Sequence, residues 1–459
     1  MESKKVHFIG IGGIGVSSLA QYYLASGWRV SGSDAVKSEI TDDLGKSGIK
    51  IFIGQRAANI KSPDLVVYSA AVRSDNPEYA EAAAKGYPLL SYAQAVGELT
   101  KKYYTIAVAG SHGKSTTTAL IGLILIKAGL DPTIIIGTKL KELGPTSLKL
   151  RGAGTNFRLG KSRYLVLEAD EYARSFHNYF PKISVLTNID REHLDVYKNL
   201  AGVLAGFRRY LKNVSEYIVA NSEDRNVKKV LNLFEPEDLR AERPKSYTLN
   251  HKVVWYGEGK HPLAIPGAHN QFNAEAAWQA VKLLGVSKSV ADKVFRTYNG
   301  AWRRMELIYP NKLTKLKAFV PSSGRGAKSC VYSDYAHHPT EIKATLQALR
   351  EKYPKRKLVC VFQPHQQDRL NRLFGDFIKA FSTADKTIIY PLYKVKGRDS
   401  TGKTSIDLVR KINKETVLYA GNFKKVLELI GPEIKTGSII VFMSAGDLDG
   451  KVRRYLYPS

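Results

Sequence analysis

The chain has 459 residues, room for about three domains, and its 44% hydrophobic and 24% charged residues are ordinary for a globular protein. Two cysteines, Cys330 and Cys360, exclude a disulfide framework and point to a reducing compartment, and no run approaches the roughly 18 apolar residues of a membrane span. The net charge of +28 permits nucleic-acid binding or steering of acidic substrates; lysine and arginine are scattered, with modest clusters at 149–163 and 312–328 and no aromatic-interleaved basic motif, so no nucleic-acid partner is expected.

Lys4 and Lys5 precede an apolar stretch, but Gly10, Gly12, Gly13 and Gly15 interrupt it too soon for a secretory signal. The expectation is a cytoplasmic protein with no membrane partner. Val6 to Ile9 reads as a strand entering Gly10-Ile11-Gly12-Gly13-Ile14-Gly15, a full G-x-G-x-x-G, and Ser17 to Ala25 as the helix after it. Arg29 to Gly32 is a second strand, ending in Ser33-Asp34. Asp34 lies close to the spacing at which a carboxylate reads a ribose hydroxyl. Physically the unit predicts a pyrophosphate site at a helix N-terminus and leaves the nucleoside open.

Ile51 to Ile53 and Asp64 to Ser69 are further strands, Ser69 beginning a small-residue loop. Asn76 before Pro77 is a helix cap, Pro88 to Leu90 reads as a short strand, and a helix over 93–100 closes a first domain, 1–100. Thr105 to Val108 is then a buried strand running into Gly110-Ser111-His112-Gly113-Lys114-Ser115-Thr116 and a helix apolar nearly all round. Strand, glycine turn and helix aim backbone N–H groups at phosphate; Lys114 would reach the β- and γ-phosphates and Ser115 a Mg²⁺ ion. The general phosphate-loop pattern wants a glycine where this chain has Val108. ATP is the expected ligand.

Thr133 to Ile136, Tyr164 to Leu167 and Ile183 to Asn188 are strands; Glu168-Ala169-Asp170-Glu171 follows the second, Asp190 and His193 the third. Ligands of doubly wound sheets sit at such carboxyl ends, and Mg²⁺ favours a few oxygen ligands with substrate phosphates. A Mg²⁺–ATP site is the economical reading, with helix caps as the plainer alternative. His269, Asn270 and Asn273 open an alanine-rich helix whose amides would cap it or contact adenine. Gly300 to Glu306 is a junction, so the second domain is 101–300 and the third 301–459. In the third, strand Val331 to Ser333 ends in Asp334-Tyr335-Ala336-His337-His338, Leu358 to Phe362 in Gln363-Pro364-His365 with Arg369 beyond, and Ile439 to Phe442 in Met443-Ser444-Ala445-Gly446-Asp447.

The ordered set GIGGIG and GSD, GSHGKSTTT, EADE, TNIDREH, GAHNQFNA, RRME, SDYAHHPTE, FQPH and SAGD resembles the Mur ligases over essentially the whole chain. These are the ATP-dependent amide-forming enzymes of peptidoglycan precursor synthesis, and the branch most resembled joins L-alanine to UDP-N-acetylmuramate. The resemblance implies an α/β fold of three domains: a Rossmann-like UDP-binding domain, a central P-loop-type ATPase domain with a mainly parallel sheet, and a Rossmann-like C-terminal domain. It implies that Gly110 to Thr116 hold the ATP phosphates, with Lys114 on the γ-phosphate. Ser115 and Glu168 would ligate one Mg²⁺ and His193 a second. Asn270 and Asn273 would contact adenine, and Arg304 and Asp334 the γ-phosphate and ribose. Gly10, Gly12, Gly13, Ile14, Gly15, Ser33, Asp34 and Ser69 would bind the UDP moiety instead of a dinucleotide. His337, His338, His365 and Arg369 would lie around the incoming amino acid. The partners implied are the three small-molecule substrates alone, in a monomer or homodimer.

The chain departs from the family at Gln366, in a short segment between Val253 and Gly267, and in a basic insertion at 312–328. Around Phe207-Arg208-Arg209 it lacks the modified lysine of other branches, in keeping with the alanine-adding one. A rival is the ligase that reattaches recycled murein tripeptide, which shares RRME and YAHHPT but carries FEPR in place of FQPH. A nicotinamide-dependent oxidoreductase would leave the GSHGKS turn without purpose, and a nucleic-acid-dependent ATPase would leave SDYAHHP unexplained.

Overall fold

A computed structural model describes residues 3–143, 154–231, 252–309, 329–394 and 401–457. The basic insertion at 312–328 and the first part of the 149–163 cluster lie outside them. The chain forms two compact units, one of residues 1–262 and 271–297, the other of 263–270 and 298–459.

The first unit holds two sheets. In the N-terminal one, β1 (Lys5–Ile9), β2 (Arg29–Asp34), β3 (Lys50–Ile53), β4 (Leu65–Tyr68) and β5 (Leu89–Ser91) run parallel in the order β3-β2-β1-β4-β5. The strand order reverses between β1 and β4, which is where doubly wound sheets open a crevice. Helices α1 (Ile14–Ala25), α2 (Glu39–Lys46), α3 (Pro77–Ala84) and α4 (Tyr92–Lys102) connect and follow these strands. Asn76 caps α3 as its place before Pro77 predicts, its side chain accepting from the Glu78 and Tyr79 amides.

The second sheet contains β6 (Tyr104–Ala109), β7 (Thr133–Leu140), β8 (Thr155–Arg158), β9 (Tyr164–Glu168), β10 (Ile183–Leu186), β11 (Tyr217–Asn221) and β12 (Lys252–Tyr256), ordered β12-β11-β10-β6-β9-β7-β8. All neighbours are parallel except β7 and β8. Central β6 is covered on both faces, which is why it reads as an unbroken apolar run. Helix α5 (Lys114–Lys127) is buried from Ser115 to Leu125 without a polar face. One apolar cluster, with Phe8, Leu19 and Val67 at one end and Ala107, Leu167 and Phe207 at the other, runs through both sheets of this unit.

The second unit carries β13 (Glu306–Tyr309), β14 (Cys330–Asp334), β15 (Leu358–Gln363), β16 (Lys386–Ile389), β17 (Val417–Tyr419) and β18 (Ile439–Ser444), in the order β13-β14-β18-β15-β16-β17. Only β13 is antiparallel. Two apolar clusters pack its two faces, one around Leu346, Cys360 and Phe377, the other around Val359, Ile440 and Val452. The sequence reading misses β8, β11, β12, β13, β16 and β17. β8 is Thr-Asn-Phe-Arg and becomes a strand by pairing with β7, while β16 and β17 have only four and three residues.

Candidate active site

The turn after β6 takes its shape from the segment after β10. Ser111 N donates to the Asn188 carbonyl (2.9 Å) and His112 N to Asn188 Oδ1 (2.9 Å). Thr187 Oγ1 (2.7 Å) and Asn188 Nδ2 (2.9 Å) donate to the His112 carbonyl, and Asp190 N donates to Ser111 Oγ (2.8 Å). His112 Nε2 lies 3.3 Å from Asp190 Oδ2. Six contacts from one neighbouring strand end thus hold a turn that lacks the first glycine of the general pattern. Gly110 (φ +138°) and Gly113 (φ +83°) occupy left-handed backbone, and a Cβ on Gly113 would collide with the Asn273 amide. Asn273 therefore stands against the phosphate turn, where Thr117 Oγ1 approaches its Oδ1 at 3.4 Å. No side chain caps α5, whose N-cap is Gly113, so its first-turn N–H groups face the turn's concavity.

Three further groups converge there. Ser115 Oγ donates to Glu168 Oε1 (2.9 Å), and Gly137 N donates to the other carboxylate oxygen (2.7 Å). Lys114 Nζ donates to the Gly110 carbonyl (2.6 Å) and pairs with Glu171 Oε2 at 2.9 Å. Burial works against that ammonium's charge, but the carboxylates of Glu171, Asp170 and Glu168 outweigh it and hold Lys114 above the ordinary lysine range. His193, in left-handed backbone (φ +53°), sets its Nε2 3.6 Å from Glu171 Oε1. Asp170, Glu171 and His193 can bring one ligand atom each within 4.8 Å of one another. A hydroxyl, carboxylates and one imidazole beside a phosphate-type turn form a donor set that fits Mg²⁺.

In the N-terminal sheet the turn after β1 and the loop after β4 meet at the strand-order reversal. A Cβ on Gly10 would come within 2.9 Å of Ser69 Cβ. Gly12 N donates to Asp34 Oδ2 (2.9 Å), and Gly13 is the N-cap of α1, with no side-chain cap. Gly15 lies beneath Tyr92, whose Oη would be 2.8 Å from a Cβ there. Ser33 is buried, its hydroxyl donating to Glu78 Oε2 (2.5 Å), so its side chain serves the interior of the sheet.

In the second unit, Asp334 is buried and its carboxylate accepts from Met305 N (2.7 Å) and Ala336 N (2.8 Å), which pins the backbone beside Arg304. The Arg304 guanidinium lies 4.9 Å over the Tyr335 ring and 3.8 Å from Glu341 Oε1. His338 caps the helix Pro339–Lys352 through Nδ1, while Glu341 accepts from the His337 and His338 amides. His337 packs edge-on against His365 (6.2 Å), which stacks on Tyr393 at 5.4 Å and 6°. Arg369 Nη1 donates to the His365 carbonyl (3.3 Å), and Gln366 holds φ +68° with its amide on the Tyr393 carbonyl. The Asn270 amide donates to the Pro266 carbonyl (2.6 Å), a turn-closing part at the start of the helix Ala268–Lys282.

Three consecutive family models match the chain: Mur ligase family, catalytic domain, over residues 5–104; Mur ligase middle domain over 108–281; and Mur ligase, glutamate ligase domain over 322–446. The chain belongs to the Mur ligase family. It is 37% identical to the UDP-N-acetylmuramate–L-alanine ligase of Aquifex aeolicus, covering 99% of this chain and 97% of that protein. Its identity to the ligase of the same name from Acetivibrio thermocellus is 38%, covering 97% and 94%. Among solved structures, the UDP-N-acetylmuramate-alanine ligase of Thermotoga maritima superposes with a TM-score of 0.77 at 26% identity over 98% of both chains. The murein peptide ligase of Psychrobacter arcticus, at 24% identity, shares the fold with a TM-score of 0.68 over 99% and 98%.

Sequence reasoning singled out the Mur ligase motifs but not the groups that brace them. Glu171 stood inside the quoted EADE and Asn188 inside TNID without a role. Gly137, Glu78 and Tyr393 carry no local pattern; each becomes visible only through the strand or ring it packs against.

Proposed function

We propose that the chain joins L-alanine to the lactyl carboxylate of UDP-N-acetylmuramate with hydrolysis of ATP to ADP and phosphate, in the cytoplasm. The observation that carries this reading is Ser115 Oγ on Glu168 Oε1 at 2.9 Å, beside Lys114, at the mouth of an uncapped helix.

A carboxylate does not condense with an amine in water without activation. A lactyl carboxylate oxygen attacks the γ-phosphorus and ADP leaves, giving an acyl phosphate; the amine of L-alanine attacks the acyl carbon and phosphate leaves. The amides of the Gly110 to Thr116 turn hold the phosphates, and Lys114 exchanges its Glu171 partner for the γ-phosphate, where its charge meets the charge of the transition state. Ser115 and Glu168, with His193 nearby, would hold Mg²⁺, which neutralises charge on the transferring phosphoryl group. The turn after β1, with Asp34 and Ser69, takes the diphosphate and uridine. His337, His365 and Arg369 are assigned to L-alanine and Arg304 to the γ-phosphate. Asp334 acts as the brace of the Arg304 backbone, because both its oxygens already accept amides. The charge of +28 favours approach of a substrate bearing diphosphate and carboxylate.

The test supplies ATP, Mg²⁺ and UDP-N-acetylmuramate with L-alanine, L-serine, glycine or the tripeptide in turn, and measures phosphate. Release with L-alanine is expected. Release with the tripeptide alone selects the recycling ligase, and no release with any acceptor overturns the reading.

A further inference from the structure

Between the glycine turn after β1 and the Glu168 edge runs a continuous path through the β7–β8 pair. Asn156, on β8, is 4% exposed and spends its whole amide on α1. Its Nδ2 donates to the Ile14 carbonyl (2.6 Å) and to Ser17 Oγ (3.0 Å), and its Oδ1 accepts from Gln21 Nε2 (2.8 Å). Ile14 belongs to the glycine turn itself. On β7, Lys139 is 6% exposed and donates to Glu39 Oε1 (2.7 Å) and Asp43 Oδ2 (3.1 Å) of α2. A cavity of about 20 Å³ separates these struts, lined by Ser17, Gln21, Asp43, Lys139 and Asn156.

The path then reaches the metal-binding edge. β8 pairs with β7 at Phe157 and Ile135, and β7 pairs with β9 at Ile135 and Leu167. Two residues beyond Ile135, Gly137 N holds Glu168 Oε2 at 2.7 Å. Each sheet has its own hydrogen-bond ladder, so neither needs Asn156 in order to form. What the Asn156 and Lys139 contacts determine is the separation and direction between two loops.

On the reading proposed above, those loops hold opposite ends of one substrate: the diphosphate at the turn, the reacting carboxylate near Glu168. An error of about 1 Å between reacting groups can cost on the order of 10²-fold in rate. We propose that Asn156, supported by Lys139, is a positioning residue that sets the span from the diphosphate turn to the Glu168 edge and so brings the lactyl carboxylate into register with the γ-phosphate. The inference rests on that reading.

The test compares the full chain with Asn156→Ala and Lys139→Met. Three quantities are read: calorimetric Kd for UDP-N-acetylmuramate without ATP, KM for ATP, and kcat per folded molecule. The expected result for Asn156→Ala is a Kd and an ATP KM within about twofold of the parent, because each loop stays whole, with kcat reduced about tenfold or more. Lys139→Met should move kcat the same way by about threefold. Pulsed electron–electron distances between spin labels on α2 and on the helix Arg225–Leu231, both in this unit, should broaden in Asn156→Ala. A kcat within twofold of the parent, or an unchanged distance distribution, overturns the proposal, as does a loss confined to the substrate Kd. Should Asn156→Ala not fold, Ser17→Ala, which removes one of the three bonds, carries the same readouts with a change of about threefold. A parent enzyme that releases no phosphate with UDP-N-acetylmuramate and L-alanine would instead overturn the assigned reaction, leaving the distance measurement to judge the strut.

Discussion

Lys114 Nζ and Glu171 Oε2 form an ion pair at 2.9 Å, with the glutamate 1% exposed. The lysine of the glycine turn therefore has a buried carboxylate partner, and on the function proposed above nucleotide binding would exchange one anion for another. Removing one member of a buried pair leaves the other charge uncompensated, at a cost of about 3–5 kcal/mol. Glu171→Gln should therefore lower Tm without ligand, while Mg²⁺–ATP, by supplying the missing anion, should raise Tm more in the variant than in the parent. Equal ligand-induced shifts would count against the exchange. Lys114→Ala should abolish phosphate release and leave UDP-substrate binding within a few-fold, as read by calorimetry.

Gly137 offers a finer probe of the proposed Mg²⁺ site at Glu168. A Cβ there would come within 2.8 Å of Glu168 Oε2, the oxygen its own amide holds. Gly137→Ala should displace the carboxylate and raise the Mg²⁺ concentration for half-maximal activity several-fold, with far-ultraviolet circular dichroism unchanged. Glu168→Gln should cost about 10²-fold or more in kcat. An unaltered Mg²⁺ titration in Gly137→Ala would show that Glu168 lies outside the metal's reach.

Glu78 governs a pH-dependent part of stability. Its buried carboxylate accepts from Ser33 Oγ (2.5 Å) and Asn59 Nδ2 (2.5 Å) and lies 3.4 Å from His7 Nε2. Burial works to raise its pKa, but these partners, His7 first, outweigh burial and hold it below the ordinary carboxylate value. A depressed carboxylate stabilises the fold above its unfolded pKa, and that stability is lost as pH falls through the folded value. Glu78→Gln should cost about 2 kcal/mol or more at pH 7, and the gap to the parent should close below about pH 4.5. Denaturant melts at pH 7 and pH 4 decide this; a gap constant across that range would refute it.

Tyr393 forms one wall around the histidine assigned to the acceptor, stacking on His365 at 5.4 Å. An aromatic pair of this kind contributes about 0.5–1.5 kcal/mol beyond its area. Tyr393→Ala should raise KM for L-alanine about three- to tenfold, leave the KM for UDP-N-acetylmuramate unchanged, and be rescued by Tyr393→Phe, which keeps the ring. Steady-state kinetics with each substrate varied separately measure both. Equal rises in the two constants would assign the residue to general stability.

The two phosphate-type turns, the central strands and the acidic and histidine strand ends were legible because each is local. Glycines at fixed offsets, an apolar run and a helix behind it leave a signature within about twenty residues. The strands that escaped were those whose character comes from a neighbour: β8 has no apolar alternation and exists through its pairing with β7. The same holds for side chains. Asn270 and His338 stood in recognisable motifs, yet their amide and ring nitrogen close the Pro266 turn and cap the helix Pro339–Lys352, uses that depend on backbone geometry no motif specifies.

The residues by themselves determined that this is a three-part α/β chain of the Mur ligase kind, with one glycine turn at Gly110 to Thr116 and a second at Gly10 to Gly15. Local hydrogen-bonding and steric rules suffice for both. Tertiary structure alone decided what holds those turns in place. Asn188 shapes the first, Glu171 holds its lysine, and Gly137 orients Glu168. Asn156 ties the second turn to the same sheet. Such contacts join residues from 31 to 142 positions apart in the chain, where spacing carries no information; the pairing of β10, β6, β9 and β7 in one sheet brings the first three sets of partners within hydrogen-bond reach, and the packing of β8 against α1 brings the fourth.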